Sequence, residues 1–151
     1  MVSEQKKSTH KLTQLSTFWV ANRLYAFDVT EVQEVVRVVT TTPIPKAPCY
    51  VAGLINLRGQ IATAIGLREL FGLSENKNED PMSVVCKIGD YLVSFLVDEI
   101  GDVIEVSEDL FEYSPPTIDI SIRQYMHGVY KTPGDILSVL DIHKIFNFLE
   151  Q

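Results

Sequence analysis

The chain has 151 residues, 46% of them hydrophobic, with 13 basic against 20 acidic side chains, a formal net charge of -7 and a pI near 4.9. That length supports one compact domain or two small ones packed tightly together, and it excludes a long multidomain enzyme. The acidic balance opposes a phosphate backbone or an anionic membrane, both of which reward clustered Lys and Arg.

The first residues, MVSEQKKSTHK, are polar and lack both an apolar run and a small-residue cleavage site. Residues 1–11 are therefore expected to form a flexible leader to a domain spanning 12–151, with no secretory signal. No apolar run approaches the roughly 18 residues of a membrane span, so a cytoplasmic protein without direct membrane insertion is expected. STFWVANRLYAFDV reads as two strands around Ala21, Asn22 and Arg23, offering Leu24 and Ala26 to one face and Tyr25, Phe27 and Val29 to the other. TEVQEVVRVV combines helical spacing of Val32, Val35 and Val36 with β-branching, which predicts a short helix giving way to a strand. TTTPIPKAPCY, rich in proline, must be an extended, exposed connector. Two short strands follow around Asn56 to Gly59, then a short helix from about Leu67 to Phe71 stopped by Gly72.

The second half repeats this order. A shift of 68 pairs Leu24 with Leu92, Phe27 with Phe95, Val29 with Val97, Val32 with Ile100 and Val35 with Val103. A shift of 75 then pairs Gly53 with Gly128, Gly59 with Gly134, Ile65 with Leu140 and Phe71 with Phe146. The change of offset implies a seven-residue insertion near SPPTIDISIRQ. Two copies are too few for a solenoid, so the repeat predicts two similar small barrels or sheets packed on each other. The final segment, DIHKIFNFLEQ, places Ile142, Ile145, Phe146 and Leu149 on one helical stripe behind Asp141 as N-cap. Its first-half counterpart begins at Gly66, where a capping side chain is missing, so Gly66→Asp is expected to be mildly stabilising.

Catalytic chemistry is not assembled. His10, His127 and His143 are scattered, and Cys49 and Cys86 have no Cys or His at ligand spacing, so no metal is expected and both thiols should be reduced and half-buried. No nucleophile elbow, phosphate loop or dinucleotide fingerprint occurs, so neither a cofactor nor an enzyme is expected. Asp98 and Glu99 are adjacent and read as a solvated pair. Arg58, between Gly53 and Gly59, has two readings: a turn residue held by a carboxylate within the fold, or a fork presented to a partner.

YVAGLINLRGQIATAIGLRELFGL, following DVTEVQEVVRVVTTTPIPKAPC, resembles the CheW family of bacterial chemosensory adaptors; FLVDEIGDVIEV and DILSVLDIHKIF follow in family order. The resemblance covers roughly Phe18 to Leu149 and implies a mainly β fold of two intertwined, pseudo-symmetric five-stranded β-barrels with short helices and a C-terminal helix. It further implies a non-enzymatic adaptor coupling the cytoplasmic tip of methyl-accepting chemoreceptors to the histidine kinase CheA through the regulatory domain of the kinase. Other CheW-like proteins are further candidate partners. Carried over, the receptor groove between the barrels would be lined by Val29, Val32, Val35 and Ile100, with Glu34 near its edge. Arg58 would pair with Glu34 across the groove base, with Gly53 and Gly59 structural. Where the family often has Asp in an Ile-Asp-Leu-Arg run, this chain has Gly66. An adaptor for another array, such as one controlling type IV pili, is an alternative. So are a kinase regulatory domain and a β-barrel module binding nucleic acid or a small molecule, the former opposed by 13 basic residues against 20 acidic.

Overall fold

The computed structural model describes residues 11–38, 40–74 and 81–150, so the leader up to residue 10 lies outside it. Among the described residues eleven strands form two sheets. The first sheet orders β8 (Glu99–Ser107), β1 (Leu12–Val20), β2 (Arg23–Asp28), β11 (Asp135–Leu140), β10 (Met126–Thr132) and the two-residue β9 (Phe111–Glu112). The second orders β3 (Val32–Arg37), β6 (Met82–Ile88), β7 (Tyr91–Val97), β5 (Gln60–Gly66) and β4 (Val51–Leu57). Three short helices, α1 (Leu67–Leu70), α2 (Ile120–Arg123) and α3 (Ile142–Leu149), complete the fold.

Each sheet takes strands from both halves of the sequence. In the first, β1 and β2 join β8, β10 and β11; in the second, β6 and β7 join β3, β4 and β5. The register obeys the repeat residue by residue. Thr63 pairs with Val93 in the parallel β5–β7 ladder, and their repeat mates Ser138 and Tyr25 pair in the parallel β11–β2 ladder. Both copies carry a register shift at the same place, between Val32 and Glu34 and between Ser16 and Phe18. The intertwined architecture is thus the expected one, with one refinement: among the described residues neither ladder closes on itself, and each sheet curls around its own interior with two open edges.

Local chemistry explains the hairpins. Ala21 and Asn22, at φ 50 and 65, and Arg58 and Gly59, at φ 51 and 90, form two-residue turns with both central residues left-handed, the twist that two-residue hairpins require. The inserted residues lie where the offset changes: Thr42 bridges Leu54, whereas its counterpart Glu112 pairs with Val129, and the rest of the added length forms the loop and α2 before β10.

The main core lies between the sheets, where Phe18, Tyr25 and Phe27 meet Val84, Cys86 and Phe95, and α1 and α3 contribute Leu67, Leu70, Ile142 and Ile145. A second cluster, Leu15, Ala26, Tyr130, Leu137 and Val139, fills the interior of the first sheet. The repeat mates of those residues in the second sheet are Ser83, Ser94, Ile55, Ala62 and Ala64, all buried. That interior is filled by small side chains, and the two buried hydroxyls satisfy each other through a Ser83–Ser94 hydrogen bond.

Gly53 sits at φ 143, and a methyl there would collide with the Thr42 carbonyl oxygen and approach Thr41 Cγ2 to 2.8 Å. Gly53→Ala should therefore lower the unfolding free energy by about 2 kcal/mol or more. Gly59→Asn, in a turn with open space around it, should cost less than about 1 kcal/mol. Urea unfolding of both variants checks this; equal losses would show that the Thr42 connector yields.

Candidate partner-binding site

The sequence-derived residues fall on the edges of the two sheets. Val29 lies half-buried in a 3-10 turn, Val29–Glu31, whose N-cap Asp28 accepts from Thr30 N at 2.9 Å. That turn carries the chain from β2 in one sheet to β3 in the other. β3 is an edge strand with alternating half-buried and exposed residues: Val32 and Glu34 are half-buried, and Val35 is 38% exposed. Ile100 occupies the repeat-equivalent position on β8, the edge of the other sheet, opposite Phe18, while Val32 stands opposite Cys86. Both pack against the shared core from its margin.

Arg58 and Glu34 form an ion pair in which Nη2 donates to Oε2. β3 and β4 are the two outer strands of the second sheet, so this pair ties together the edges that the backbone ladder leaves open. Asn56 Oδ1 accepts from Gly59 N at 2.9 Å and fixes the turn that presents Arg58. The equivalent turn in the other half is Pro133–Gly134, with Gly134 at φ 86. A hairpin at this point therefore does not require an arginine.

Arg68, which sequence reasoning passed over, and Asp98 form a densely hydrogen-bonded polar cluster. Asp98, read there as solvated, is only 19% exposed in its side chain and receives a fork from Arg68: Nε to Oδ1 at 3.0 Å and Nη2 to Oδ2 at 2.8 Å. It also accepts from Ala21 N at 2.8 Å, and Arg68 Nη1 donates to Ser74 O at 3.0 Å. Hydrogen bonding to Asp98 raises the Arg68 pKa further above its ordinary value. No local pattern marks a pair 30 residues apart in sequence; only the repeat, which puts Asp98 at a sheet crossing, could have pointed to it. The cysteines also differ from expectation. Cys49 is exposed in the proline-rich connector, and Cys86 is fully buried, where desolvation pushes its thiol pKa up.

At the Val29–Glu31 turn itself, Asp28, Thr30, Glu31, Asp141 and His143 line a cleft of about 270 Å³. Burial, and then the charge of Asp28, raise the Glu31 pKa. Among the described residues no group of three or more His, Cys, Asp or Glu is arranged to hold a metal ion, and no helix is long and apolar enough to cross a membrane.

Among the described residues, the polar pairs Glu34–Arg58 and Arg68–Asp98 lie at joints between strands of an intertwined two-sheet β fold. Comparison with known proteins gives the family: the CheW-like domain model matches residues 14–150. The chain is 38% identical to the chemotaxis protein CheW of Treponema pallidum, covering 91% of this chain and 84% of that protein. It is 30% identical to the CheW of Thermotoga maritima, covering 87% and 86%. The crystal structure of the scaffolding protein TtCheW from Thermoanaerobacter tengcongensis superposes with a TM-score of 0.78 at 31% identity, covering 87% of this chain and 90% of that one. The chain belongs to the CheW-like family of chemotaxis scaffold and adaptor proteins.

Gly66 alters one expectation. Its backbone, φ -78 and ψ 116, is open to any residue, but the Glu69 carboxylate folds back over the helix start, into the space a Cβ would take. An Asp there would meet both the volume and the charge of Glu69. At the other helix start Asp141 Oδ1 caps His143 N and Lys144 N, and the third helical residue is a lysine. Gly66→Asp alone should thus fail to raise the melting temperature, whereas Gly66→Asp with Glu69→Lys should raise it relative to Glu69→Lys alone. Thermal unfolding of the three variants decides; stabilisation by the single substitution would show that Glu69 moves aside without cost.

Proposed function

We propose that this chain is the coupling adaptor of a chemosensory array, joining the cytoplasmic tip of methyl-accepting chemoreceptors to the regulatory domain of the histidine kinase CheA. It works in the cytoplasm, at membrane arrays reached through those partners, and neighbouring CheW-like proteins are candidates for lateral contact. Membership of the CheW-like family supports this reading, and the observation that carries it is the form of β3. An edge strand exposes Val35 beside half-buried Val32 and Val29, and its intervening Glu34 is latched to Arg58. A helix of the receptor hairpin can lay an apolar stripe along such a margin, with Ile100 on the equivalent strand as the opposite contact. Glu34 and Arg58 hold the strand in place for that contact, and Gly53 and Gly59 support the hairpin that brings Arg58 there.

A pull-down with the purified CheA regulatory domain and, separately, a soluble receptor tip fragment tests the proposal. The wild-type protein should bind both, and Val32→Arg should lose the receptor while keeping the kinase. Losses of receptor affinity from Glu34→Ala and Arg58→Ala should fall short of additive, because either change opens the same latch. Binding to neither partner by a folded protein would reject the reading, and additive losses would reject the role of the latch.

A further inference from the structure

The chain passes between the sheets at two places related by the repeat, and they are built differently. At the second, between β7 and β8, three residues hold Asp98: its own N donates to Trp19 O at 2.9 Å, Ala21 N donates to its carboxylate, and Arg68 grips the same carboxylate with a fork. These bonds join β1, the β1–β2 turn, α1 and the crossing itself. At the first, between β2 and β3, the repeat mate of Asp98 is Thr30 and the mate of Arg68 is His143. The equivalence is structural as well as numerical, because α1 and α3 start from the same anchor: Gly66 N donates to Tyr50 O, and Asp141 N to Tyr125 O, each at 2.8 Å. Thr30 and His143 face the same open cleft, and the capping bonds of the crossing are local, from Thr30 N and Oγ1 to Asp28.

We infer that Arg68 and Asp98 are positioning residues that clamp one sheet crossing rigidly, while the crossing through Val29–Glu31 is left compliant. A bidentate, half-buried guanidinium–carboxylate pair resists opening far more than a short exposed Asx-type cap does. This asymmetry belongs to the chain alone and does not rest on the identity of any partner.

Native-state amide hydrogen exchange on the full chain tests it. In the wild-type protein residues 98–100 should be protected at least about tenfold more than residues 29–32. Arg68→Gln should raise exchange at Ala21 and residues 98–100 and leave the β6–β7 hairpin unchanged. Thr30→Asp combined with His143→Arg, which writes the clamp into the first crossing, should slow exchange at residues 29–32. Equal protection of the two crossings in the wild type would overturn the inference. A uniform rise through both sheets in Arg68→Gln would do the same, since that is what a residue contributing only general stability produces.

Discussion

Everything in this fold depends on two short parallel ladders, β2 with β11 and β5 with β7. Each joins a strand of one sequence half to a strand of the other, so neither half can complete a sheet alone. Antiparallel hairpins supply the local pieces: β1–β2, β4–β5, β6–β7 and β10–β11 all form between sequence neighbours. An isolated hairpin is marginal in water, and three or more strands over an apolar face are needed for independent stability. The parallel ladders meet that need by exchange. They also place Phe27 of one half against Phe95 of the other, with ring centroids 5.0 Å apart in the shared core.

Exchange leaves an edge problem. Each curled sheet ends in two strands that are paired on one side only, and open edges invite unwanted pairing. In the first sheet the chain itself runs from β8 through a 3-10 turn into β9, so the two edges are covalently continuous. The second sheet has a longer connector between β3 and β4, and there Arg58 and Glu34 span the edges by side chain. The same strand, β3, carries Val32 and Val35, two of the residues assigned to receptor contact in the proposal, so in that proposal the side-chain link between the open edges also shapes the site.

The sequence made the strands, the hairpin turns, α1 with its Gly72 stop and the repeat itself legible, because those depend on period-two patterning, glycine placement and constant offsets. Opposite charges at Glu34 and Arg58, read with the family resemblance, made their pairing an expectation as well. What stayed hidden is nonlocal. Nothing in the pattern of β2 says that its neighbour is β11 rather than another strand, since alternation fixes a face and not a partner. Arg68 and Asp98 carried no signal because neither lies in a motif whose spacing their bond would set. The missing cap at Gly66 was legible, and no side chain caps that helix start; hidden was the Glu69 carboxylate, which comes from three residues later and fills the space a Cβ would take.

The central claim is that the two sheets form one cooperative unit through strand exchange, and the chain carries natural reporters for both. Trp19, on β1, reports on the first sheet by fluorescence, and buried Cys86, on β6, reports on the second by thiol labelling once exposed Cys49 is replaced by Ser. Equilibrium urea unfolding followed by both signals should give one midpoint, because loss of either sheet removes strands from both halves. Two separate midpoints would show sheets that unfold independently, and would contradict the account.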